Sequence, residues 1–159
     1  MSAAPFVPTA FDVPTGLRTA EFVLEPLGPQ HNDADYAAWT SSLEHIRATP
    51  GFAERSWPHE MTLEANRGDL ESHAADFVAR TGFTYTVLDR TGSTVIGCVY
   101  IYPARAADGD SDASVRSWVR AANAELDAPL WRAVTEWLSR DWPFERVAYA
   151  ARIDKSTFA

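Results

Sequence analysis

The sequence predicts an α/β (α+β) domain, with a mixed and mostly antiparallel sheet flanked by helices. Two observations carry this reading. Phe83-Thr84-Tyr85-Thr86-Val87-Leu88 alternates aromatic or aliphatic residues with threonine, and across the turn residues Asp89-Arg90-Thr91-Gly92 it meets the β-prone run Thr94 to Tyr102, which makes a hairpin. Further on, a strand from Ala113 to Arg120, a helical stripe and a last strand form a strand–helix–strand unit, whose two strands must lie parallel. The chain of 159 residues suits one domain with a core of its own, expected at residues 19–159 behind an extended arm of residues 1–18.

Each element follows from local composition. Pro5, Pro8, Pro14 and Gly16 favour an extended arm, with Phe6 and Phe11 available to dock it. Thr19 to Leu27 is a short strand stopped by Pro26 and Gly28-Pro29. A helix should run from about Gln30 to Ala48, because Tyr36, Trp39, Leu43 and Ile46 recur at spacings of three and four and so share one face. Thr49-Pro50-Gly51 ends it, and a loop holding Trp57-Pro58-His59 follows. Thr62 offers an N-cap for a helix to about Arg80, whose expected buried side is Leu63, Leu70, Ala74, Phe77 and Val78. After the hairpin, Pro103 stops the strand and Ala104 to Asp112 is an acidic loop. Leu126, Leu130, Val134, Trp137 and Leu138 mark a helix from about Ala124 to Arg140, and Glu145 to Ala151 is the last strand.

Charge and cysteine content exclude several classes. A formal net charge of -8 repels a phosphate backbone, so nucleic acid is not an expected partner. Cys98 is the only cysteine, which rules out an internal disulfide or a thiolate zinc cage and fits a reducing cytosol. No apolar run is long enough to span a bilayer and the N-terminus lacks a signal pattern, so the expectation is a cytoplasmic protein with no membrane partner. Asp108, Asp110 and Asp112 alternate as in a calcium loop, but Ala113 and Val119 stand where the glycine and glutamate would be needed, and no metal is expected.

The succession strand, two helices, three strands, helix, strand is similar to the GNAT superfamily of N-acetyltransferases. Leu24-Glu25-Pro26-Leu27, the run Val95 to Pro103 with its Ile96-Gly97 pair, and Ala113 to Leu138 carry the likeness, which covers about Thr19 to Ala151. The resemblance implies a GNAT-like acyltransferase that moves an acetyl or acyl group from acetyl-CoA or another acyl-CoA to an amine of a small molecule or peptide. It also implies a V-shaped cofactor groove where the third and last strands of this core splay apart. The family's diphosphate loop corresponds to Arg120-Ala121-Ala122-Asn123-Ala124-Glu125, so Trp118, Val119, Arg120, Asn123, Ala124 and Glu125 are the expected cofactor-binding residues. Free N–H groups at a helix start favour anionic oxygens. Here Asn123 and Glu125 replace glycine or alanine; Asn123 is expected to keep the turn in a left-handed conformation, and Glu125 would repel a diphosphate unless it points away.

Direct acyl transfer needs a base for the amine and an acid for the departing thiolate. His45, His59 and His73 are available as bases, with His31 further out, and His59 is preferred because it sits in the loop expected to shape the acceptor site. Among Tyr85, Tyr100 and Tyr102 on neighbouring strands, Tyr102 is the candidate acid. Glu44, His45, Arg47 and Trp57 are expected to line the acceptor pocket. Arg116, Trp118 and Arg120 share one strand face opposite Val115 and Val119, a local basic and aromatic face in an acidic chain. The family's usual extra helix and strand, which supply a tyrosine acid, have no counterpart in Arg152 to Ala159. An incomplete sheet edge leaves a homodimer open. The alternative is a non-catalytic GNAT-fold module with a small-ligand pocket or a dimerisation role. A thioesterase-like enzyme lacks a nucleophile signature, and Cys98 reads as a buried strand residue.

Overall fold

The structure, a computed structural model, describes residues 5–53 and 55–152; the outermost parts of the expected arm and tail, residues 1–4 and 153–159, lie outside the described residues. Among the described residues six strands form one sheet in sequence order: β1 (Leu17–Arg18), β2 (Phe22–Pro26), β3 (Phe83–Asp89), β4 (Val95–Pro103), β5 (Ala113–Val119) and β6 (Val147–Tyr149). All neighbours are antiparallel except β5 and β6, which are parallel as the strand–helix–strand unit requires. Four α-helices pack on this sheet: α1 (Asn32–Thr40), α2 (Leu43–Arg47), α3 (Leu63–Ala79) and α4 (Asp127–Asp141). None is long and apolar enough to cross a membrane.

The hairpin β3–β4 is closed by Asp89, whose carboxylate accepts from the Thr91 hydroxyl and the Ser93 amide, while Gly92 takes a φ of 76° that L side chains rarely adopt. Its register shifts between Val87 and Leu88, opposite Gly97 and Val95, which leaves Ile96 as an extra residue. Gly97 is required there, because a β-carbon would collide with the Trp118 carbonyl oxygen of β5. At the far end Asp112 accepts the backbone N–H groups of Glu145 and Arg146 and thereby aligns β6 beside β5.

Side-chain alternation sorts the core into two layers. On one face Phe22, Leu24, Phe83, Tyr85, Val99 and Val115 meet Leu130, Val134, Trp137 and Leu138 of α4, the four buried residues of its expected stripe. On the other, Cys98, Tyr100 and Trp118 meet Trp39, Ile46, Phe52 and Leu70. Residues 5–16 lie on the α4 side: Val7 is buried, Phe6 stacks on Phe83 and Phe144, and Phe11 packs on Trp142.

Three expectations need correction. The single helix from Gln30 to Ala48 is broken, because Thr40 and Ser41 turn their hydroxyls back onto the Tyr36 and Ala38 carbonyls and Ser42 leaves helical geometry at φ -134°. The Ser42 hydroxyl instead accepts the Ala121 amide at 2.9 Å, tying the break to the segment after β5. In α3, capped by Thr62 as expected, Leu63 and Val78 are 42% and 84% exposed, Asn66 and Leu70 are buried, and His73, Ala74 and Phe77 are half-buried. Asn66 is buried because its amide is fully used: it accepts from Trp39 Nε1 and donates to Asn32 and Asp35. Finally, the last helix begins as a 3₁₀ run over Ala121–Leu126, and Asn123 has φ -118°, so it does not take the left-handed conformation.

Candidate active site

A cleft opens on the α1–α3 side of β4 and β5. Its inner part, about 310 Å³, is lined by Asp35, Trp57, Asp69, His73, Tyr100 and Arg116 among others. An adjoining part of about 390 Å³ shares His73, Asp76, Tyr100 and Arg116 and adds Tyr102, Arg55 and Arg105. Helix α3 supplies the acid–base groups of one wall, and β4 and β5 the tyrosines and arginine of the other.

The geometry at His73 assigns its proton. Tyr102 Oη lies 2.8 Å from Asp76 Oδ2 and 2.8 Å from His73 Nδ1. An ionised carboxylate only accepts, so the single Tyr102 proton goes to Asp76, and Nδ1 must carry the hydrogen that faces Tyr102 Oη and Thr84 Oγ1, 3.1 Å away. Nε2 is then the unprotonated nitrogen. Burial holds the imidazole below its ordinary pKa, with Asp76 and Asp69 pulling the other way, so the ring is neutral near pH 7. Burial raises the Tyr102 hydroxyl, reinforced by Asp76, so it remains a phenol. Deeper in, burial lifts Asp35 to a pKa of about 6 although the Asn66 amide donates to it.

Of the residues expected from sequence, Trp57 and Tyr102 line this cleft, whereas Trp118 is fully buried outside its lining and donates its Nε1–H to Tyr100 Oη at 2.9 Å. His59 is exposed, with Nδ1 3.0 Å from the Ser56 carbonyl, and lines neither part. Glu44 and Arg47 pair with each other at 3.1 Å on the surface of α2, and His45 does not reach the cleft. His31 bridges the Gly28 amide and Glu25. Cys98 is fully buried and its thiol is pushed up by that burial.

Where the resemblance implies a cofactor groove, the pairing of β5 with β6 ends and side chains fill the gap. Ala113 to Val115 pair with Val147 to Tyr149, and among the described residues β5 has no ladder partner on that side from Arg116 to Val119. Into this gap Arg152 places a buried guanidinium that donates to the Ser117 carbonyl at 2.8 Å and to Asp127 Oδ2 at 2.7 Å, while Tyr149 Oη and Ser117 Oγ share a hydrogen bond. The segment Arg120 to Glu125 spends amides internally: Arg120 N–H goes to Ile96, Ala121 N–H to Ser42 and Asn123 N–H to Arg120. Val119 faces the α4 layer. Ala124 and Glu125 are exposed, so the Glu125 carboxylate stands in solvent. One feature does fit an anionic group: Arg120 Nε is buried and has no hydrogen-bond partner among the described residues. The loop thus offers one side-chain donor, and the gap beside β5 is filled by Arg152.

No protein-family model matches the sequence, and a search of curated proteins finds no match. Solved structures do resemble it. The ribosomal-protein-S5-alanine acetyltransferase from Vibrio fischeri superposes with a TM-score of 0.65 at 15% identity, over 92% of this chain and 79% of that one. The ribosomal L7/L12 alpha-N-protein acetyltransferase RimL in complex with coenzyme A gives 0.64 at 11% identity, over 92% and 77%. The microcin C7 self-immunity acetyltransferase MccE in complex with acetyl-CoA and AMP gives 0.57 at 13%, over 80% and 66%. At these identities the likeness is one of architecture, and the chain has the fold of the GNAT acetyltransferases.

Proposed function

We propose that this chain transfers an acyl group from acyl-CoA to the amine of a small molecule or peptide, with the α3–β4–β5 cleft as the acceptor site. The observation that carries the reading is His73: a neutral imidazole in a cleft, oriented through Tyr102 and Asp76, with Nε2 free to accept a proton. Structures with the same fold that hold coenzyme A or acetyl-CoA support the donor side. Bound acyl-CoA supplies a thioester carbonyl open to attack by an amine. His73 Nε2 takes the proton of the attacking amine, Tyr102 with Asp76 steadies the imidazolium, and as the acyl–sulfur bond breaks that proton passes from Nε2 to the departing coenzyme A thiolate. Arg120 would hold an anionic oxygen of the cofactor, and Trp57 and Tyr100 give the acceptor an apolar wall.

The test is acetyl-CoA-dependent release of free thiol in the presence of amine acceptors. His73→Gln is expected to lower kcat by about 10²–10⁴-fold with little change in KM for acetyl-CoA. A turnover equal to that of the parent would remove His73 from the chemistry. A second reading, a non-catalytic module that keeps the fold, is favoured by one observation, the Arg152–Asp127 pair that closes the gap beside β5. Thiol release above background by the parent protein rules it out.

A further inference from the structure

Three arginines converge at the outer end of the cleft. Arg55, Arg105 and Arg116 line the same cavity, and Arg116 is held there by packing. Its stem lies over Gly51, where a β-carbon would come 3.4 Å from Arg116 Cγ, and its guanidinium sits 5.2 Å from the Phe52 ring centroid and 5.1 Å from that of Tyr100. Among the described residues neither Arg116 nor Arg55 has a carboxylate partner, and Arg105 has Asp108 alone, at 3.8 Å. Burial weighs against the charged form of Arg116, and so do Arg55 and Arg105, with Tyr100 acting the other way; at Arg55 burial and then Arg105 act in the same sense, with Asp108 opposing them. Among the described residues these three guanidinium groups have Asp108 as their one ion-pair partner, which leaves a local excess of positive charge in a chain of net charge -8. The inner part of the cleft, which Arg116 also lines, carries Asp35 and Asp69, and Asp76 lines both parts, whereas Arg55 and Arg105 line the outer part alone.

We propose that the acceptor bears an anionic oxyacid group, a carboxylate or phosphate, besides its amine: the anion sits on Arg55, Arg105 and Arg116 and the ammonium points toward Asp35, Asp69 and Asp76. The proposal rests on the reading of this cleft as the acceptor site and adds the acceptor's chemical class. Guanidinium forks match both oxyanions in two-point hydrogen bonding, and the rings beneath Arg116 fix the plane of its fork before the ligand arrives. A polarised cleft of this kind also orients the amine relative to His73.

Calorimetric titration of the full chain without any acyl-CoA tests it, with glycylglycine, glycylglycinamide and inorganic phosphate as probes. Glycylglycine is expected to bind about tenfold or more tighter than its amide, which lacks the carboxylate, because charge-assisted hydrogen bonds are lost. Phosphate that displaces the dipeptide widens the site to both oxyanions, and phosphate that does not restricts it to carboxylates. Arg116→Met is expected to abolish the preference over the amide. Because Arg116 is packed, the double variant Arg55→Gln with Arg105→Gln repeats the measurement without touching the core. Equal affinity for dipeptide and amide, or no binding of any probe, overturns the proposal. Glycylglycine binding by a protein that shows no acetyl-CoA-dependent thiol release would sink the acyl-transfer reading and leave the anion site standing.

Discussion

At the scale of single residues, the site depends on where protons reside. Asp35 has a folded-state pKa near 6 against 3.8 unfolded, with burial as the first cause. The native state therefore binds the extra proton between those values, so the contribution of Asp35 to stability is fully present below pH 4 and is lost as pH rises through 6. The loss is on the order of 3 kcal/mol. His73 acts oppositely: its lowered pKa makes stability fall as pH drops below its ordinary value of 6.5. Urea unfolding of the parent and Asp35→Asn from pH 4 to pH 7 separates the two. The variant is expected to gain stability relative to the parent as pH rises; parallel curves would show that Asp35 titrates normally. Sequence placed His73 among the bases but favoured His59, because loop position is visible in a sequence and burial is not. The signal for His73 was its spacing of seven from Asn66 and three from Leu70, which puts it on the inner face of α3 once Asn66 is accepted as a core residue. The three arginines were harder to foresee. Arg55, Arg105 and Arg116 come from separate loops and a strand, and only the fold brings them together.

At the scale of elements, hydrophobic spacing located the strands and α4 well, and it failed where polar side chains settle the structure. Thr40-Ser41-Ser42 interrupted a stripe that otherwise continues through the break, since Trp39 and Ile46 remain buried on the same layer. That interruption has a use: Ser42 is buried and its hydroxyl holds the Ala121 amide. Ser42→Ala is expected to cost about 1–2 kcal/mol by leaving that amide unpaired, read as a lower urea midpoint with an unchanged slope. A change within error would mean that water replaces the hydroxyl. The α3 face was misread for a related reason. Leu63 and Val78 are apolar yet exposed, while Asn66 is polar yet buried, and the deciding factor is a hydrogen-bond network with Asn32, Asp35 and Trp39 that spans two helices. Around Asn123, by contrast, the sequence already displayed the departure from a glycine loop, and the structure adds that the segment becomes a 3₁₀ turn in which the Arg120, Ala121 and Asn123 amides are already paired.

At the scale of the whole molecule, residues 5–16 close one end of the α4 layer. Phe6, Val7 and Phe11 cover Phe83, Trp142 and Phe144, Arg80 donates to the Pro8 and Phe11 carbonyls, and Tyr85 Oη donates to the Pro14 carbonyl. Removal of residues 1–14 is expected to destabilise the domain by about 3 kcal/mol or more, from lost apolar burial and from the orphaned Tyr85 hydroxyl. Thermal unfolding measures this directly, and an unchanged midpoint would show that the segment is not part of the core in solution. The same scale holds the central question, because a GNAT fold is compatible with catalysis or with its loss. The cleft holds a neutral imidazole, a proton network and both signs of charge, whereas the gap beside β5 is closed by Arg152 and Asp127. Calorimetric titration of the full chain with acetyl-CoA addresses this most directly. Saturable binding is expected, weakened about tenfold or more in Arg120→Ala through loss of a charge-assisted contact. No heat of binding from the parent protein, or equal affinity in Arg120→Ala, would contradict the account.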